Sequence, residues 1–220
     1  MTRTRSTTKQ PQIDELRFGR LAAGDLEALS PNADLEGMRY QDVRLPYLTL
    51  PGAVLDGVHF DGLVAGEADL KSARLSDVLI DRVDIPVVHA ARGQWHDVVV
   101  TGRLGSFEAY EAKWRSVHFV GCKLSFVNLR GAELLDVAFT DCVIEDLDLI
   151  QAKARRVCLR DTRVAQLNVQ HSELHDFDLR RGEVEGIVGL RDLRGATVTP
   201  FQLAEMAPLL ADEFGIKLEE

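Results

Sequence analysis

Residues 122–144 read CKLSFVNLRGAELLDVAFTDCVI. Every fifth residue is bulky and apolar: Leu124, Leu129, Leu134, Phe139 and Ile144. Two residues before each of these centres stands a small or apolar side chain (Cys122, Val127, Ala132, Val137, Cys142), and most of the remaining places are polar. An α-helix cannot gather such centres on one face, because a step of five turns them ~140° apart. A flat strand fails as well, since its side chains alternate with a period of two. A chain that runs extended for three residues and then turns a corner aims every centre at a common axis, and four corners close a square.

Outward from this stretch the frame continues in both directions. It runs forward to Val184 and back through Trp114 and Ala109 to Leu104; a single four-residue step leads to Val100, and the frame resumes back to Leu35. Fourteen centres precede the step and 17 follow it, and none is polar. With 45% hydrophobic residues in the chain, chance would give this ~10⁻¹¹ of the time, so the period is a property of the fold.

A longer period of twenty supports the square. The first inward position is always small: Ala33, Ala53, Ala73, Gly93, Ala112, Ala132, Ala152 and Ser172. The next is usually valine, as at Val58, Val78, Val98, Val117, Val137 and Val157, and a third column holds Cys122, Cys142 and Thr162. Each coil therefore has four distinct faces, and equivalent residues stack one coil apart. The short step makes one coil of nineteen residues, with a bulge or tightened corner expected near Gly102, where glycine tolerates unusual backbone angles. These centres amount to 7–8 coils, which at ~4.8 Å per coil is a rod of roughly 37 Å. Trp95 and Trp114 fall in one column on adjacent coils, and Lys113, Glu133, Lys153 and Glu173 form an outward column of alternating charge.

The units A-D-L, A-R-L-S-D-V, N-L-R-G-A-E-L and D-L-R-G-A resemble the pentapeptide-repeat family, whose loose motif is A(D/N)Lxx. The resemblance covers residues 33–198 and implies an all-β solenoid, a right-handed quadrilateral β-helix. It also implies two kinds of role: a binding or scaffold module for another protein, or a DNA mimic that binds DNA gyrase or another topoisomerase, as the quinolone-resistance members do. In some members the C-terminal helices form a dimer interface.

Around the repeats the chain divides into a basic tail over 1–12, expected to be disordered, a lead-in over 13–32, and a C-terminal segment over 199–220. Thr199 followed by Pro200 starts a helix, and Pro208 demands a break, so two short helices are expected over about 200–207 and 208–214, stopped by Gly215. Their apolar residues Phe201, Leu203, Met206, Leu209, Leu210, Phe214 and Ile216 need a surface, either the open end of the rod or a second copy of the chain. Tyr47, Val87 and Phe126 stand at outward corner positions in one column and form a candidate partner surface, unless the N-terminal segment covers them.

Net charge is −9, and the first ten residues carry three cations and no acid, which leaves −12 for the remainder. Such a body argues against direct contact with nucleic acid. It also falls short of a DNA mimic, since ~37 Å of duplex carries about 22 charges. Residues 101–130 are net +3, whereas 131–150 hold six acids and no base. No phosphate-binding glycine motif and no nucleophile elbow is present. The six histidines fall mainly at outward positions; His171 and His175 have the spacing of a helical zinc pair but lie across a corner with no matched third ligand, so no metal is expected. Cys122 and Cys142 should point inward on neighbouring coils as reduced thiols, with Cys158 outward and the better candidate for reactivity. No catalytic residue or cofactor is expected. With no run of about 18 apolar residues and no signal-peptide pattern, the chain is expected to reside in the cytoplasm, away from membranes.

Overall fold

The structure is a computed structural model that describes residues 7–217. The repeats form one parallel β-solenoid in which each strand pairs with the equivalent strand of the coil before and after it. Long strands bend round corners: Lys113–Asn128 supplies three consecutive faces and pairs with Gln94–Glu108 on one side, with a slip between Thr101 and Arg103. The coil 112–131 defines the faces used below. Residues 112–116 form the first face, 117–121 the second, 122–126 the third and 127–131 the fourth.

All the five-residue centres are buried except Leu45 and Val184, which are half-buried near the two ends and still pack against the core. The rod is longer than the 7–8 coils expected, with about nine turns. Partial turns add to it at each end: Ala22–Ala23 pairs with Met38–Arg39, and Ala196–Thr197 pairs with Phe177–Asp178.

Three of the four corners place their last residue in the left-handed backbone region. After the first face these are Gly37, Gly57, Asp77, Asp97, Ser116, Asp136, Arg156 and Asp176. Glycine and aspartate dominate because that region costs them least. The corner after the third face has no positive φ. It alone admits β-branched and aromatic residues without strain, which is why Tyr47, Val87 and Phe126 collect there.

The shortened coil tightens at Gly102. Val83 pairs with Gly102, and the register slips on both sides of it. Gly102 has φ +117°, and a Cβ there would overlap the Val83 carbonyl oxygen and lie 2.5 Å from the Val83 nitrogen. One residue thus serves as both corner and first inward position, and it brings no side chain to the axis. A dry void of about 30 Å³, lined by Leu63, Val83, Val100, Leu104, Phe107 and other apolar side chains, lies beside it.

Both tryptophans point inward. Trp95 and Trp114 stack with ring centroids 5.2 Å apart, and Phe119 stacks on Phe139 at 5.0 Å. Gly93 replaces the usual alanine of its column because a Cβ there would sit 3.0 Å from Trp95 Nε1. The Cys122, Cys142 and Thr162 column also has a local cause. Cys122 Sγ donates to the Val100 carbonyl at 3.2 Å, and Thr162 Oγ1 donates to the Phe139 carbonyl at 3.1 Å, so each satisfies an acceptor of the coil before it.

At the C-terminus, α1 (Pro200–Glu205) and α2 (Ala207–Glu213) follow the last turn. Thr199 caps α1 in a reciprocal capping box with Gln202. The break comes at Met206, two residues before Pro208, which sits in the first turn of α2 where a missing N–H costs nothing. Gln202 Nε2 donates to the Leu179 and Gly182 carbonyls at 2.6 and 2.8 Å, tying α1 to the last coil. No helix of the described residues is long and apolar enough to cross a membrane.

Candidate interaction surfaces

Tyr47, Val87 and Phe126 do share one column, but it is not an apolar stripe. Tyr47 pairs with Glu67, and Ser106 stands between Val87 and Phe126. Tyr47 is 67% exposed, whereas Val87 and Phe126 are half-buried. The N-terminal segment does not cover them, because it runs along a different face.

The apolar residues of the C-terminal helices differ in exposure. Met206, Leu209 and Leu210 are half-buried, and the first two line a groove with Leu179, Val184 and Ile187 of the last coil. Phe201, Leu203, Phe214 and Ile216 stay in solvent at 71%, 52%, 61% and 58% exposure. Arg191 lies over the Phe214 ring, 5.6 Å from its centroid, and pairs with Glu213 at 2.9 Å. Phe201 also borders that groove, so the segment packs loosely against the last coil and leaves much of its apolar surface exposed.

The expectation of a disordered tail over 1–12 falls partly on residues outside those described. Residues 7–12 are not loose: with 13–18 they form a strap running lengthwise on the rod. Lys9 N–H donates to Asp176 Oδ1 at 3.1 Å, Gln12 N–H to Asp136 Oδ1 at 2.8 Å, and Asp14 N–H to Ser116 Oγ at 3.1 Å. Gln10 Nε2 donates to Asp178 at 2.6 Å, and Phe18 stacks on His59 with centroids 5.9 Å apart. The outward column of the second face carries Leu79, Val99, Ala138 and Cys158 interspersed with Arg39, His59, His118 and Asp178. Cys158 does point outward by register, yet it is only 3% exposed beneath the strap, and burial pushes its thiol up. It is therefore not the free surface thiol expected from register alone. The signal that betrays this cover is the apolar residues Leu79, Val99, Ala138 and Cys158 at outward positions.

Two buried carboxylates anchor the strap and are themselves held ionised. Burial alone would raise the Asp136 carboxyl, but the Arg156 guanidinium at 2.6 Å and the Gln12 N–H outweigh it and hold it below the usual range. Asp178 is likewise desolvated, and Arg180 and Gln10 bring it down to about 2.

A second charged cluster sits near the N-terminal end. His59, Asp61 and Asp81 bring ligand-type atoms within 4.8 Å of one another. The Asp61 oxygens are, however, already taken by Arg39 and by Arg82, the latter at 2.5 Å, and these hydrogen bonds hold its carboxyl at about 2. Asp81 accepts from the Thr101 hydroxyl. The cluster is an ion-pair network that links three coils. His171 and His175 are both exposed, and the His171 N–H donates to Asp192. Cys122 and Cys142 are buried as unpaired thiols. The exterior is cross-linked by ion pairs between neighbouring coils, among them Lys113–Glu133 at 3.6 Å, Arg130–Asp148 at 2.7 Å and Arg163–Glu183 at 3.2 Å.

The family model of the pentapeptide repeat region matches residues 112–188. No curated protein sequence matches the chain. Among solved structures, HetL, a pentapeptide repeat protein involved in heterocyst differentiation regulation from the cyanobacterium Nostoc sp. strain PCC 7120, is similar at 15% identity; the match covers 77% of this chain and 85% of that one with a TM-score of 0.41. A trypsin-treated variant of QnrB1, a plasmid-mediated fluoroquinolone resistance protein, matches at 15% identity over 86% of this chain and 91% of that one, with a TM-score of 0.33. Residues 112–188 are thus a pentapeptide repeat region, and the same four-faced coil runs back to Asp34.

Proposed function

We propose that this chain is a non-catalytic protein-binding module, and that its C-terminal helices join it to a second copy. The observation that carries this is the apolar surface that α1, α2 and the residues after them leave exposed. Phe201, Leu203, Phe214 and Ile216 are 71%, 52%, 61% and 58% exposed although other residues of the same segment pack against the last coil. Exposed apolar patches of this kind mark contacts between proteins. The axis is packed with side chains, so the chain's recognition surfaces are its outer faces and ends. A dimer built here would be isologous, each copy offering the same patch.

Light scattering on the full chain tests this. A mass twice 24.4 kDa is expected, returning to 24.4 kDa in the Phe201→Asp variant. A wild-type chain that stays monomeric at all concentrations, and that captures no partner from its native extract, would refute the module.

The alternative is a DNA mimic acting on gyrase or another topoisomerase. Asp141, Glu145 and Asp146 favour it: they are exposed on neighbouring faces of one coil and form no ion pair with a described residue. Against it, Glu133, Asp136 and Asp148 of the same acidic stretch are neutralised by Lys113, Arg156 and Arg130. Phosphates of a duplex carry no such internal partners. A supercoiling assay separates the readings, and absence of gyrase inhibition at micromolar protein removes the mimic.

A further inference from the structure

We propose that the second face is a channel for an extended peptide, and that residues 7–18 are its tethered and releasable occupant. The strap has the geometry of a ligand and not of a strand. An extended chain advances ~3.3 Å per residue, and coils lie ~4.8 Å apart. Three residues from Lys9 to Gln12 cover two coils, from Asp176 to Asp136; two more reach Ser116, one coil on. The strap thus crosses the strands of the rod at right angles. Residues 7–21 form no main-chain to main-chain hydrogen bond among the described residues; the first comes from Ala22. The ladder between coils is complete without them.

What the rod offers is a set of side chains that capture main-chain N–H groups. Asp176, Asp136 and Ser116 all stand at the left-handed corner after the first face, on three of four successive coils with Arg156 at the fourth, and each accepts one strap N–H. Such capture reads an extended backbone whatever its side chains. Beside this row of acceptors the second face is apolar at Ala138 and Cys158, 5% and 3% exposed, between His118 and Asp178 of the same column. Asp136 is itself 4% exposed and Asp178 7%. An acceptor row next to an apolar groove is how a surface binds a peptide in extended form. The strap fits it with N–H groups at residues 9, 12 and 14 and half-buried apolar side chains at Ile13, Leu16 and Phe18. A peptide in trans with the same pattern would meet the same row and groove. This face is separate from the apolar patch of the C-terminal helices.

Cys158 reports on the channel, because Cys122 and Cys142 lie in the core and Cys158 lies under the strap. In the wild-type chain, maleimide labelling read by peptide mass mapping should modify Cys158 at least tenfold faster than Cys122, since strap release precedes global unfolding. A full-length Gln12→Pro/Phe18→Ser variant, which loses one captured N–H and the stacking on His59, should label at Cys158 at least tenfold faster than wild type with Cys122 unchanged. A synthetic peptide of residues 7–18, TTKQPQIDELRF, should then slow Cys158 labelling saturably, and a scrambled peptide should not. Equal labelling of Cys158 and Cys122 in the wild-type chain would overturn the proposal even if the variant failed to fold. Faster labelling of the variant with no protection by the peptide would overturn it too, by making the strap a fixed cover with no channel beneath.

Discussion

Replacing Gly102 with alanine tests the account of the shortened coil. The residue has φ +117°, a conformation that costs a residue with a Cβ ~1–3 kcal/mol. The added methyl also overlaps the Val83 carbonyl, which is backbone and held by the neighbouring coil. Relieving such an overlap costs a further ~1–3 kcal/mol. The variant should lose about 2–6 kcal/mol, which for a chain of this size lowers the melting temperature by roughly 4–24 °C. The opposite change has the opposite sign. Inserting valine between Gly102 and Arg103 restores a coil of twenty residues, returns Gly102 to an ordinary corner and sends a side chain toward the void of about 30 Å³. That insertion should be neutral or stabilise by up to ~2 kcal/mol. Thermal melts followed by tryptophan fluorescence read both, because Trp95 lines the void. A Gly102→Ala chain that melts within about 1 °C of wild type, or an insertion that destabilises more than the alanine does, would show that the slip is accommodated elsewhere.

Trp114→Ala removes a side chain 2% exposed and stacked on Trp95, and should cost about 3–5 kcal/mol in denaturant unfolding. Arg156→Ala leaves Asp136 buried without its guanidinium and should cost about 2–4 kcal/mol, with Cys158 labelling accelerated because Asp136 also holds the strap. Phe201→Asp should abolish the dimer and with it the rise of melting temperature with protein concentration, the two chains melting within about 1 °C of each other at the lowest concentrations, since the side chain is 71% exposed in the single chain. Asp61 and Asp178 are held at about 2, below the ordinary 3.8. Their contribution is complete above ~3.8 and lost as pH falls from there toward 2, so a Asp61→Asn/Asp178→Asn chain should lose stability at pH 7 and show a shallower acid unfolding curve below pH 4.

The solenoid is readable because one period governs every residue of it. Leu124 and Trp114 face the axis for the same reason, and each repeat confirms the last. Even the exceptions carry local causes, as Gly93 gives way to the Trp95 indole. The strap has no period and no strand pairing, so nothing in residues 7–18 announces where it lies. Its trace is on the other side of the contact, in the apolar residues at Leu79, Val99, Ala138 and Cys158. Register correctly turned Cys158 outward, but solvent exposure depends on the strap as well. The size of Tyr47, Val87 and Phe126 reflects a corner with ordinary backbone angles, and of the three only Tyr47 projects freely.

A stack of coils touching only their neighbours resembles a pile of coins, able to shed members from either end one at a time. The segment from Thr8, bonded to Thr197, to Phe18 against His59 is a cord drawn down the side of that pile. Loosening the final turns then requires untying the other terminus, nearly two hundred residues away in sequence. Fraying at the two tips becomes a single event, so hydrogen exchange in the closing coil should quicken when a residue near the start of the chain is altered.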